Sequence, residues 1–311
     1  MDLRTLLLSS QVRFIVGKGG VGKTTVTAAL GLAGSAVGLR VQLIELEGRD
    51  ELARCFDYDG PLGYDPVVLY EHPSGGQVLA RHLAPDEALT EWLREHNFGR
   101  LLPRLRTSGA LDVIATAVPG IRDVLILGKI KALTRDSDDV LLVDAPASGH
   151  SLSLLASPSS LMHAARSGPI RRQAEEVDAL LRDESRCCVT LVTLAAELPV
   201  AEAIEAAFDL EDRAGVALSA LLVNQYDGGN QELRAEVTPS ETAQLDPELV
   251  ANMAAARTFT LALVDEEEEQ RRRLARELPL AQIVVPSVDG DTITFARLME
   301  ISASLLGQEW P

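Results

Sequence analysis

Cysteine is scarce in this 311-residue chain: Cys55 and the adjacent pair Cys187 and Cys188 are all there is, and no C-x-x-C occurs. That pattern supports no disulfide framework, zinc site or iron–sulfur cluster, and it suits a reducing cytoplasm. Aromatic residues are 4% of the chain, so its core must be built mainly from Leu, Val, Ala and Ile. Basic residues number 29 against 46 acidic ones, a formal charge of −17. Nucleic acids and anionic membranes are gripped by clustered Lys and Arg, so neither is an expected partner. No run of about 18 apolar residues occurs, which argues against membrane insertion. Residues 1–10 lack the small-residue cleavage pattern of a signal peptide. A cytoplasmic protein is expected, with Leu6 to Leu8 packing on the sheet as a short entry element.

What is present is 46% hydrophobic residues, enough at this length to bury roughly three quarters of the unfolded chain's surface. Apolar runs of strand length alternate with helical patterns. Val41-Gln42-Leu43-Ile44-Glu45, Asp139 to Ala145, Cys188 to Thr193, Ala217 to Asn224 and Ala281 to Val285 read as strands, several of them buried on both faces. Val67 to Tyr70 and Gln77 to Leu83 flank Pro73-Ser74-Gly75-Gly76 and read as a hairpin. Helical patterns fill Pro85 to Thr134 and Ser151 to Asp183, with a break at Pro119-Gly120, and Phe295 to Leu306 reads as a packing helix. The acids of Asp265 to Glu269 followed by Arg271-Arg272-Arg273 read as a solvated helix with paired charges. The alternation predicts an α/β fold, a doubly wound, mostly parallel sheet with helices on both faces.

The organising stretch is Gly17-Lys18-Gly19-Gly20-Val21-Gly22-Lys23-Thr24-Thr25, between a strand-like run from Arg13 and an Ala-rich helical one. It contains G-x-x-x-x-G-K-[ST] in strand–turn–helix context, the pattern of a phosphate-binding loop. Glycines let the backbone curl so that successive N–H groups converge on phosphate oxygens at a helix N-terminus. Lys23 is then expected along the β- and γ-phosphates, the Thr24 hydroxyl on Mg²⁺, and Thr25 at the α-phosphate. Asp144 ends a buried strand, where such proteins place the carboxylate that holds Mg²⁺ through water. The expected cofactors are ATP and Mg²⁺.

Lys18 makes the loop G-K-G-G-x-G-K-[ST], which resembles the deviant-P-loop ATPases, among them the arsenite-pump ATPase, the tail-anchored-protein targeting ATPase, the partition and division-site ATPases and the nitrogenase iron protein. The resemblance implies a nucleotide-sandwich dimer in which Lys18 reaches the partner's phosphates. Asp144-Ala145-Pro146-Ala147-Ser148-Gly149-His150 resembles the second switch of the arsenite-pump and tail-anchored-targeting branch. There the Gly149 amide is expected to meet the γ-phosphate, and His150 is either a cap or a sensor of nucleotide state. Asn224 matches the family's adenine-reading asparagine, and Pro286 its loop packed on the base. Leu43 to Arg49, Pro119 to Ile130 and Leu191 to Val200 are similar to a bacterial subgroup of anion-transporting ATPases related to the arsenite pump, thought to work as unlike pairs.

The resemblance thus implies a single P-loop ATPase domain, 1–311, with a helical subdomain contributed by about 84–135 and 150–184. Its cycle would couple hydrolysis in a homodimer, or a heterodimer with a paralogous ATPase, to a membrane-protein or cargo partner. One departure bears on catalysis. The first switch of the better-known relatives carries a water-positioning aspartate in S-T-D-P, and the matching residue here is Glu47, with Glu45 and Asp50 near enough to substitute. An extra methylene moves a carboxylate by roughly 1 Å, which can cost about 100-fold when geometry is strict. An ATP-binding regulatory subunit with weak hydrolysis, paired with a catalytic paralogue, is therefore the alternative. A partition or division-site ATPase fits less well, since it needs a basic surface or a basic amphipathic tail, and the charge of −17 and the C-terminal segment count against it. Without C-x-x-C and with only four Met, the sequence carries no mark of arsenite transport or of a Met-lined groove for transmembrane segments.

Overall fold

A computed structural model of the chain describes residues 3–48, 50–96, 120–227, 234–235, 244–288 and 292–307. Part of the helical reading, 97–119 with Phe98 and Pro119, lies outside the described residues.

The chain opens with helix α1 (Leu3–Leu8), strand β1 (Val12–Gly17), helix α2 (Lys23–Ala36) and strand β2 (Arg40–Glu45). A short helix α3 (Glu51–Cys55) precedes the hairpin β3 (Val67–Glu71) and β4 (Gln77–His82). Helices α4 (Pro85–Glu95) and α5 (Ile121–Asp136) lead to β5 (Val140–Ala147). Then come α6 (Ser148–Ala164), α7 (Pro169–Leu181), β6 (Cys187–Leu194) and α8 (Glu197–Asp209), which runs into a π-helical turn, Leu210–Ala214. The chain continues through β7 (Leu218–Asn224), α9 (Pro247–Glu277), β8 (Gln282–Val284) and α10 (Phe295–Leu306).

The eight strands form one sheet in the order β3-β4-β2-β5-β1-β6-β7-β8. Every neighbouring pair is parallel except β3 with β4. The fold is α/β and doubly wound, as the alternation of patterns predicts. Because β1 lies between β5 and β6 with both faces covered, Val12, Phe14, Ile15 and Val16 are all buried. Alternate residues feed two cores: Val12, Phe14 and Val16 pack with α5 to α8, while Ile15 packs with α2 and α10. Strand order reverses direction about β1, so the carboxyl ends of β1 and β5 open a crevice, the usual ligand position in such sheets.

Helices α4, α5, α6 and α7 make small apolar clusters apart from the sheet core. Ala88, Leu89, Trp92 and Leu93 meet Ile121 and Leu125, and Val124 meets Leu161 and Ala174. The helical stretch read from Ser151 to Asp183 starts at Ser148 and is split near Gly168, whose φ of 108° and following Pro169 start a new helix.

Two details differ from the sequence reading. Leu3, Leu6 and Leu7 are buried and join the core on the α2 side, but Leu8 is 52% exposed, because a helix cannot turn three successive residues to one face. The charged run lies in the last part of a 31-residue helix, α9, longer than the charged run itself marks. Its pairs are those expected of a solvated helix, Arg272 with Glu268 and Arg273 with Glu277 among them.

Candidate nucleotide site

The loop between β1 and α2 owes its shape to contacts that only glycine allows. A Cβ on Gly17 would lie 2.3 Å from the Val192 carbonyl oxygen of β6. Gly22 has φ 86°, and a Cβ there would lie 2.2 Å from Asn224 Nδ2. Gly20 also has positive φ, 84°. The loop therefore sits pressed onto the ends of β6 and β7 and delivers its chain into α2.

At the carboxyl ends of β1, β2 and β5 is a cavity of about 350 Å³. Gly19, Gly20, Gly22, Lys23, Thr24 and Thr25 line it from the loop and first turn of α2. Opposite them stand Glu45, Glu47, Glu51 and Asp144. The Lys23 ammonium lies 3.1 Å from the Lys18 carbonyl oxygen and so spans the loop. The Thr24 hydroxyl donates to Asp144 Oδ2 at 2.7 Å and stands 3.5 Å from Glu51 Oε2.

Asp144 is buried, and burial pushes its carboxyl up to about 7, against the opposing effects of the Thr24 hydroxyl and Lys23. The charges of Glu45 and Glu51 act in the same direction as burial. Its second oxygen, Oδ1, is buried and has no hydrogen-bond partner among the described residues. Glu45 is likewise raised, by burial first, although it accepts from the Glu51 and Asp50 amides at 3.1 and 3.3 Å. A hydroxyl beside an orphaned buried carboxylate oxygen is a donor set that fits Mg²⁺ held by Thr24, with Asp144 acting through water. Among the described residues no group of three or more His, Cys, Asp or Glu could hold a metal ion unaided. A site that shares its metal with phosphate and water does not require one.

Not all of the sequence candidates meet at this cavity. Lys18 turns away, and its ammonium pairs with Glu202 of α8 at 3.1 Å. There it borders a smaller recess of about 140 Å³, together with Gly149. Gly149 and His150 are exposed in the first turn of α6, where the amide groups have no intrahelical acceptor. Val21 is buried beneath the loop, and its carbonyl accepts from Asn224 Nδ2 at 2.9 Å. Pro286 is exposed just beyond β8, outside the cavity. Glu47 does reach the cavity wall. Glu51, which the sequence reading passed over, reaches it as well. The available signal was an acid opening a short helical pattern directly after the β2 turn.

A glycine loop joining a central parallel strand to a helix, facing a strand-end aspartate across a lysine and a threonine, defines a P-loop nucleoside triphosphatase. The family model described as anion-transporting ATPase matches residues 10–167. The chain is 30% identical to ATPase BagA of Mycobacterium tuberculosis over 325 aligned positions, spanning 96% of this chain and 93% of that protein. It is 25% identical to a putative arsenical pump-driving ATPase of Halobacterium salinarum over 228 positions, 68% of this chain and 35% of that protein. It is 28% identical to ATPase get3 of Schizosaccharomyces japonicus over 149 positions, 48% of this chain and 44% of that one. The chain belongs to the anion-transporting ATPase family, and its chemistry is that of an ATPase.

Proposed function

We propose that the protein hydrolyses Mg-ATP between two protomers and passes the resulting conformational change through its helical elements to a partner or cargo. In this reading the backbone amides of residues 19–25 and the Lys23 ammonium bind the phosphates. Thr24 and Asp144 hold Mg²⁺, whose contribution when bound is to draw negative charge from the phosphoryl oxygens. Glu47 orients the attacking water. Lys18 serves the opposite protomer, and Asn224, with its Oδ1 available as an acceptor, faces the base beside Pro286.

The observation that carries the reading is the placement of Lys18. It belongs to the phosphate loop yet does not line its own cavity, and its ammonium lies on the protomer's surface, paired with Glu202. A lysine so placed is available to another chain's phosphates and not to its own. Coupling is supported by α6, which begins beside the cavity at Ala147 and packs its body against α5 and α7. Burial raises the carboxyl of the half-buried Asp123 of α5, and His150 in the first turn of α6 opposes that rise.

Mass measurement with and without a nonhydrolysable ATP analogue tests the reading. The wild-type chain, alone or mixed with a paralogue, is expected to double in mass with the analogue. Lys18→Ala is expected to bind nucleotide within about threefold of wild type yet lose turnover by at least about 100-fold. A monomer with full turnover would overturn the dimer. The departure at Glu47 keeps a second reading open, a weakly hydrolysing subunit that needs a paralogue, and robust turnover by the purified chain alone would discard it.

A further inference from the structure

We infer that Glu51 is a positioning residue for the metal's water shell, a second carboxylate that acts with Asp144 on the ion bound at Thr24. The inference rests on the nucleotide reading above and adds a residue to it.

Three observations support it. The first is the hydrogen-bond balance of Thr24. A hydroxyl has one proton and two lone pairs. The proton goes to Asp144 Oδ2 at 2.7 Å, so Glu51 Oε2, 3.5 Å away, faces the oxygen of Thr24 with no proton to share. An acceptor facing an acceptor leaves room for a cation or for a water polarised by one, and that is the side on which Thr24 would offer its lone pairs to Mg²⁺.

The second is how firmly Glu51 is held. Its backbone N–H donates to the buried Glu45 carboxylate at 3.1 Å. Asp50 before it takes a left-handed conformation, φ 54°, and its own carboxylate accepts from the Leu62 amide at 3.1 Å. Gly48 supplies another left-handed residue, φ 61°. Glycine takes that conformation freely, but a left-handed aspartate is sustained only where neighbours fix it, and the turn sets the start of α3 so that its first side chain faces Thr24.

The third is local charge. Four carboxylates, Glu45, Glu47, Glu51 and Asp144, line a cavity that must admit a polyphosphate, and Lys23 is the lysine on its wall. Such a wall repels a bare nucleotide and accepts one that arrives with a divalent cation. The sign of the effect is therefore specific: removing the Glu51 charge should help metal-free nucleotide and harm metal-bound nucleotide.

The test titrates Mn²⁺ into the full chain with ADP, followed by electron paramagnetic resonance, with ADP affinity measured separately in EDTA. Glu51→Gln is expected to weaken Mn²⁺ binding about 10-fold, the usual scale for an outer-shell partner. Its metal-free ADP affinity should be unchanged or tighter. Because Glu51 is exposed, the melting temperature should stay at the wild-type value. If Thr24→Ala loses Mn²⁺ while Glu51→Gln matches wild type, the inference is overturned and the nucleotide reading stands. If wild type itself shows no metal-dependent ADP binding, both fall.

Discussion

Asn224 Nδ2, at the end of β7, donates to the carbonyl of Val21, 203 positions away in the phosphate loop, at 2.9 Å. The pair fastens the loop from below, and Gly22 lets the amide approach so closely. Reading the base and bracing the loop are therefore compatible tasks for one side chain, since the amide carries two donors and an acceptor.

Removing that brace should be costly to both stability and binding. Asn224→Ala strands the buried Val21 carbonyl and is expected to cost about 1–3 kcal/mol in urea unfolding. ATP affinity measured by calorimetry should fall by about 10-fold as the loop loosens. A variant with wild-type values in both would remove Asn224 from the site.

Arg13 gives a purely structural prediction. Its side chain is buried near the start of β1, and it has no ion pair among the described residues. The guanidinium donates to Thr190 Oγ1 at 3.0 Å and to the Leu6 carbonyl at 2.9 Å, so it ties α1 to β1 and β6. Arg13→Ala leaves those acceptors unpaired and opens a void, and about 3–5 kcal/mol of stability should be lost in chemical unfolding. A change below about 1 kcal/mol would show that water replaces the side chain without penalty.

The cysteines should be inert in the folded protein. All three are free and buried. Burial, helped by the charge of Asp144, pushes the Cys55 thiol up to about 12, and burial raises that of Cys187 as well. Since the thiolate is the reactive form, an aromatic disulfide reagent at about pH 8 should label fewer than one cysteine per native chain within minutes and all three in denaturant. Rapid native labelling would show that the region around α3 opens in solution.

Much of this architecture was legible because its signals are local. The glycine loop, the hairpin about Gly75-Gly76 and helix α10 at Phe295–Leu306 are each specified by turn residues or apolar spacing. Arg13 was not legible, because nothing in a run of apolar neighbours tells that its guanidinium is hydrogen-bonded by hydroxyls of distant strands and by the Leu6 carbonyl. The bounds of α9 were not legible because Leu249, Met253, Phe259 and Leu263 remain exposed, so their pattern answers to no core among the described residues. In the site, motif spacing placed Lys23, Thr24 and Asp144 around one cavity. Counting along the chain from β2 led to Glu47 and passed over Glu51, whose nearness to Thr24 depends on the left-handed turn at Gly48 and Asp50.

The most direct test of the central claim is steady-state ATP hydrolysis by purified wild-type chain and by Lys23→Ala, each with Mg²⁺ and, where required, its paralogue. The variant is expected to lose turnover by at least about 100-fold, because in the proposed reading the Lys23 ammonium, on the wall of the cavity, binds the phosphates. Full turnover by Lys23→Ala would place the chemistry elsewhere and contradict the account.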